Sequence, residues 1–187
     1  NDQVYRGHNG AAGELGHITV ERNGLVCSCG KRGCLETVAA GPAILESAQR
    51  LAQRRHDSLT VFRGVDELGR AARDGDSLAQ AILAAAADYV GVGLSAFSCL
   101  LDIPLLIVGG EVVRTGEPFL KPLREALGRY QLYSNPIELV VSQLGPDAGV
   151  RGIGARQPRR ARTYSPMRAT ASSLSGSCPN AAWKTCC

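Results

Sequence analysis

Aromatic residues are scarce in this chain, 5% of 187 residues, with one Trp and one Met. A core must therefore come from Ala, Leu, Val and Gly, as in many α/β proteins, and an apolar share of 44% suffices for one. No apolar stretch has the quality of a membrane span. Residues 89–101 (YVGVGLSAFSCLL) are too short for one and read as a buried helix. No signal peptide opens the chain, since Asn1-Asp2-Gln3 is polar, so a cytoplasmic location without membrane partners is expected. An initiating Met is also lacking, which points to a piece of a longer product. There is no Gly-rich phosphate loop of the P-loop type and no internal repeat.

Acidic residues are missing from one region only. Residues 156–187 carry Arg156, Arg159, Arg160, Arg162, Arg168 and Lys184 with no Asp or Glu. Taking those six from 21 basic groups leaves 15 against 17 acidic ones, a net of −2 for residues 1–155 under an overall +4. The same tail holds three of the seven Cys, Trp183 and Met167, and its apolar residues follow no helical or strand period. Such a break in composition predicts a disordered or frame-shifted tail, residues 156–187, beside a domain at 1–155.

What the chain does have is a dense cluster at its start. GHITVERNGLVCSCGKRGCLE spans His17 to Glu36 and sets out His-x9-Cys-x-Cys-x4-Cys. Three thiolates and one imidazole fill a tetrahedral Zn²⁺ shell and leave no position for a reactive water. A shell of that kind holds a loop in shape. The alternative is a disulfide with a spare thiol, but Cys27 and Cys29 are too close to pair easily, and three Cys cannot all pair within the segment. Gly24, Gly30 and Gly33 supply the tight turns a metal loop needs. A structural zinc on His17, Cys27, Cys29 and Cys34 is the expectation.

The same residues carry a resemblance. Gly13-Glu14-Leu15-Gly16-His17, then C-x-C-G-x-x-G-C-L-E, then Ala39-Ala40-Gly41-Pro42, resembles the ROK family of bacterial sugar kinases and sugar-responsive repressors over residues 1 to about 155. The resemblance implies an incomplete actin-like ATPase (ribonuclease H-like) α/β domain with an inserted zinc-binding loop at 17–36. It implies that Glu14, His17 and Glu36 contact sugar hydroxyls. Ionised carboxylates suit that task, because charge-assisted hydrogen bonds are roughly twice as strong as neutral ones. His17 can give one ring nitrogen to zinc and the other to a hydroxyl. Without the motif, Glu14 and Glu36 would read as solvated or paired with Arg6, Lys31 or Arg32.

Leu105-Leu106-Ile107-Val108-Gly109-Gly110-Glu111 reads as a buried strand closed by a glycine pair. The resemblance puts Gly109 and Gly110 on the adenine-nucleotide side in kinases, with ATP and Mg²⁺ as cofactors only if the parent is a kinase. A carboxylate at Glu111 would repel phosphates, which tilts the reading towards a regulator. In the kinases the resemblance implies an Asn-Asp pair several tens of residues before GELGH. Asp2 is only twelve residues before Glu14, so Asn1-Asp2 is no match and no catalytic residue is assigned. DNA binding would need a helix-turn-helix upstream, and a homo-oligomeric parent is expected.

Periodicity and turn residues predict the remaining elements. Residues 3–6 and 16–21 read as strands. Helices are expected from Pro42 to about Arg55, over 64–74, from Ser77 to about Leu101 under an Asp76 cap, and over 117–129. A strand at 137–142 and a last helix near Pro146-Asp147 complete a parallel crossover unit.

Overall fold

The computed structural model describes residues 5–54, 62–131 and 137–144. Two short antiparallel bridges, Thr19 with Cys34 and Val26 with Arg32, organise the cysteine-rich loop. Helix α1 (Glu36–Ala39) follows, then α2 (Gly41–Arg54), α3 (Val65–Arg73) and α4 (Ser77–Leu101). Strand β1 (Leu105–Val108), α5 (Glu117–Tyr130) and β2 (Glu138–Val141) close the described part. β1 and β2 pair in parallel, from Leu105 opposite Glu138 to Val108 opposite Val141. Helix α5 is the crossover between them, so the architecture is α/β.

The organising element is α4. The Asp76 carboxylate accepts the Ala79 N–H at 2.8 Å and satisfies one of the free donors of the first turn. The helix stops at Asp102, whose φ of 50° is left-handed. Leu78, Ile82, Leu83, Ala86, Ala87 and Leu94 bury its inner faces. Helix α2 brings Ile44, Ala48 and Ala52, spaced by four, and α3 brings Val65, Leu68 and Ala72. Helix α5 adds Phe119, Leu120, Leu123 and Leu127. The α4–α5 contact is the broadest in the fold and depends on a small residue. A Cβ on Gly91 would lie 2.4 Å from the Ala126 Cβ.

Four expectations need correction. Residues 16–21 form no strand: Leu15–His17 is a single 3₁₀ turn, and Thr19 makes one bridge. The reason is local, since the Val20 and Glu21 N–H groups both donate to one acceptor, the Gly33 carbonyl, and no ladder can propagate. Strand β1 is not buried throughout. Leu106 is buried, but Leu105 and Ile107 are exposed, because among the described residues no layer covers that face of the sheet. Tyr5 and Arg6 belong to no strand. Residues 89–101 are the second half of a helix that, at 25 residues, is long and apolar enough to cross a membrane by length and composition alone. Residues such as Ile82, Leu83 and Leu94 pack into the core, but at its end Cys99, Leu100 and Leu101 are exposed, so residues 89–101 are buried only in part. The helix expected near Pro146 and the tail at 156–187 lie outside the described residues.

Candidate functional site

The site is built on turns. Cys27 to Gly30 form one, closed by the Gly30 N–H on the Cys27 carbonyl at 2.9 Å, with Gly30 at φ 88°. The Cys27 N–H then donates to the Lys31 carbonyl at 2.7 Å. Gly33 is the tightest point. Its φ is 68°, and a Cβ there would fall 1.6 Å from the Glu21 carbonyl oxygen. Only glycine fits, and that close approach brings Cys34 back beneath His17.

His17, Cys27, Cys29 and Cys34 converge. Their ligand atoms all lie within 4.8 Å of one another. The Cys27 sulfur is 3.5 Å from Nδ1 of His17, and the Cys29 and Cys34 sulfurs are 3.6 Å apart. With Zn–S of about 2.3 Å and Zn–N of about 2.0 Å, a tetrahedral shell has S–S edges of about 3.8 Å and S–N edges of about 3.5 Å. The two spacings therefore fit a Cys₃His zinc. Cys27 and Cys34 are buried and Cys29 is exposed. Burial pushes the Cys34 thiol up to about 11, while a hydrogen bond from the Lys31 backbone lowers Cys29. A bound metal overrides both, since it takes thiols as thiolates.

The surrounding polar groups position the cluster. Nδ1 of His17 faces Cys27, which leaves Nε2 pointing at Glu14, 3.8 Å from Oε2. The Lys31 ammonium donates to the His17 carbonyl at 2.7 Å. Glu36, the first residue of α1, accepts from the Ser28 hydroxyl at 3.4 Å and lies 3.7 Å from the Cys27 sulfur. It also packs across Gly16, where a Cβ would be 3.7 Å from the Glu36 Cβ. Among the described residues neither glutamate pairs with Arg6, Lys31 or Arg32. Glu14, His17 and Glu36 thus edge the same cluster. Ser28 and Lys31 were not identified from the sequence. Their roles depend on turn geometry, although their place between cysteines was a signal.

Gly109 and Gly110 close β1 instead, with Gly110 at φ 106°. The Glu111 carboxylate that follows reaches α2. A Cβ on Gly41 would lie 3.2 Å from its Oε2, so the negative charge sits at the start of that helix.

The site is thus a cluster of three Cys and one His, edged by two carboxylates, on an α/β body. The chain belongs to the ROK family, whose model matches residues 1–156. It is 36% identical over 158 residues to a glucokinase of Thermotoga maritima, covering 80% of this chain and 50% of that protein. It is 32% identical over 162 residues to a xylose repressor of Caldicellulosiruptor bescii, covering 81% and 40% respectively. Its fold matches the crystal structure of a ROK family glucokinase from Streptomyces griseus in complex with glucose and AMPPNP. There the TM-score is 0.73 and the identity 32%, over 83% of this chain and 55% of that one. The chain spans about half the length of the curated relatives it matches.

Proposed function

We propose that residues 1–155 are part of the sugar-binding domain of a ROK-family transcriptional regulator, with the sugar as effector beside a structural zinc in the loop at 17–36. The observation that carries this reading is the grouping of Glu14, His17 and Glu36 around one metal-ligand cluster. Zinc on His17, Cys27, Cys29 and Cys34 supplies shape, since four protein ligands close its shell. His17 then keeps its Nε2 for a hydroxyl, and Glu14 and Glu36 act as charged acceptors for others. The end of the family match at residue 156 supports a domain boundary there, with the basic tail at 156–187 outside it. DNA would be reached through a helix-turn-helix elsewhere in the parent protein, and the parent would act as a homo-oligomer.

Glu111 favours the regulator. Its carboxylate follows the Gly109-Gly110 turn and lies at the head of α2, and if that turn is the nucleotide side, as the family resemblance implies, its negative charge would repel a phosphate there. The glucokinase relatives support a second reading, a sugar kinase using ATP and Mg²⁺ at Gly109 and Gly110. A coupled assay of the parent protein with ATP, Mg²⁺ and a panel of glucose, N-acetylglucosamine, N-acetylmannosamine and xylose separates the two. Turnover above background selects the kinase.

The sugar site is tested by calorimetry on the same panel. Glu14→Gln keeps shape but removes charge, and it is expected to weaken sugar binding by about 1.5–3 kcal/mol, the scale of a charged hydrogen bond. Unchanged affinity in a well-folded variant would remove Glu14 from the site.

A further inference from the structure

The four ligands of the cluster differ in how they meet solvent. Cys27 is 4% exposed and Cys34 0%, whereas Cys29 is exposed. A dissolved oxidant therefore meets the Cys29 sulfur first among the three thiols. The Cys34 sulfur is next to it, at 3.6 Å, and a disulfide needs about 2.0 Å between sulfurs. The backbone assigns the remaining movement to Cys29. Cys34 is pinned by its bridge to Thr19 and by the Thr37 hydroxyl on its carbonyl at 2.7 Å. At Gly30, beside Cys29, the space where a Cβ would stand is open, with nothing within 4 Å. Cys27 is turned towards His17 and Glu36 and is separated from Cys29 by one residue only.

We propose that the Cys29–Cys34 pair is an oxidation site through which a peroxide expels the metal and dismantles the carboxylate-edged cluster. This rests on the zinc reading above. The Cys29 thiolate attacks one peroxide oxygen, the O–O bond breaks, and hydroxide leaves, giving a sulfenic acid on Cys29. The Cys34 thiolate then attacks that sulfur, the S–O bond breaks, and a second hydroxide leaves as the S–S bond forms. The two thiolates lose two electrons, and hydrogen peroxide gains them and becomes water once protons are taken up. Two of four ligands are then gone, and His17 with Cys27 cannot complete a tetrahedral shell. Nδ1 of His17 loses its metal, and the turn that carries Ser28 against Glu36 is redrawn. Sugar recognition at this site is thereby made sensitive to oxidants.

The experiment uses the full 187-residue chain loaded with zinc and treated with hydrogen peroxide. Released metal is followed with a chelating dye, and thiols are mapped by alkylation and peptide mass. Cleavage after Arg22, Lys31 and Arg32 separates Cys34 from the peptide 23–31, which carries both Cys27 and Cys29, and fragment ions broken at Ser28 tell which of the two is linked and which is alkylated. The expected result is zinc release in step with a joined Cys29–Cys34 peptide pair, Cys27 remaining alkylated, and reversal by dithiothreitol with added zinc. Cys99→Ser, remote from the cluster in sequence, is expected to release zinc at the same rate. Cys29→His keeps a ligand but not the thiol, and release from it is expected to be about tenfold slower. If that variant binds no zinc, the wild-type thiol map decides alone. Zinc that binds but survives peroxide, or leaves with Cys27 in the link or Cys29 as sulfinic acid, overturns this proposal alone. Zinc that never binds overturns the metal reading and this proposal with it.

Discussion

The cysteine loop and the helical body of this protein are held by different means. From Glu14 to Cys34 there is one 3₁₀ turn and two isolated bridges, and the apolar residues Leu25 and Val26 are exposed. Cys27, Cys34 and Leu35 are what the loop region buries. The body from α2 to α5 buries a contiguous cluster from Ile44 to Leu127. Its stability is spread over many side chains, each contributing a small share. A loop with so little core must obtain its order from a few strong bonds, and the converging side chains of His17, Cys27, Cys29 and Cys34 are the candidates to supply them through a metal. Local failure in the loop and distributed failure in the body follow from that difference.

Metal removal is the largest test of the contrast. Structural zinc contributes apparent binding energies of about 10–16 kcal/mol near neutral pH. Chelation is expected to open the loop while the helices persist. Limited proteolysis should then cut at Arg22, Lys31 and Arg32, with the far-ultraviolet helical signal nearly unchanged. Cys29→Ser is expected to do the same without chelator. Loss of the helical signal together with the metal would mean that loop and body form one cooperative unit.

Next in size is a pair of glycine substitutions. Gly33 and Gly30 both have positive φ, so alanine is strained at either. Only at Gly33 does the new Cβ also strike backbone, 1.6 Å from the Glu21 carbonyl oxygen, while at Gly30 it meets nothing within 4 Å. Gly33→Ala is expected to cost about 4 kcal/mol or more, at the rare end for single substitutions. Gly30→Ala is expected to cost about 1 kcal/mol. Zinc affinity measured by competition with a chelating dye reads both. Equal effects would show that φ alone, and not the close approach to Glu21, matters in the turn.

In the body, Leu83 is the natural counterpart. It is fully buried on α4. Leu83→Ala leaves a cavity and is expected to cost about 2–5 kcal/mol in urea unfolding. Zinc stoichiometry should remain at one per chain in the folded variant. A variant that folds but loses zinc would contradict the separation of the two regions.

The two regions were also readable from the sequence to different degrees. In the body, turn residues and apolar composition were enough. Pro42 as a first-turn residue, the Gly75-Asp76 stop and start, and the run of Ala and Leu placed the helices within a residue or two. In the loop, the convergence of His17, Cys27, Cys29 and Cys34 was readable but the backbone was not. Residues 16–21 alternate like a strand, yet Gly33 offers a single carbonyl to two N–H groups and ends the pairing. The burial of β1 was overestimated because an apolar run records what a strand can pack against, and not whether a layer is present to cover it. The contact between Glu111 and Gly41 joins residues seventy apart, and no periodicity reports a pairing of that range.

The smallest expected effect lies where the body's own order begins. Asp76 precedes α4, and its carboxylate accepts the Ala79 N–H at 2.8 Å. The first turn of a helix leaves four N–H groups without intrahelical partners, and this bond satisfies one of them. A negative charge at that end also faces the positive pole of a 25-residue helix. Asp76→Ala removes both contributions and is expected to cost about 1 kcal/mol. Asp76→Asn keeps the acceptor and removes the charge, so it should recover most of the loss if the hydrogen bond dominates. Raising the salt concentration discriminates further, since screening weakens the charge contribution and leaves the cap bond intact. Because α4 packs on α2, α3 and α5, the loss should appear in urea unfolding of the whole body, while the zinc affinity of the loop is expected to stay constant. A fall in zinc affinity on Asp76→Ala would show that α4 also sets the geometry of the cysteine turn, through the contact of Gly93 with Leu35 and Ile18.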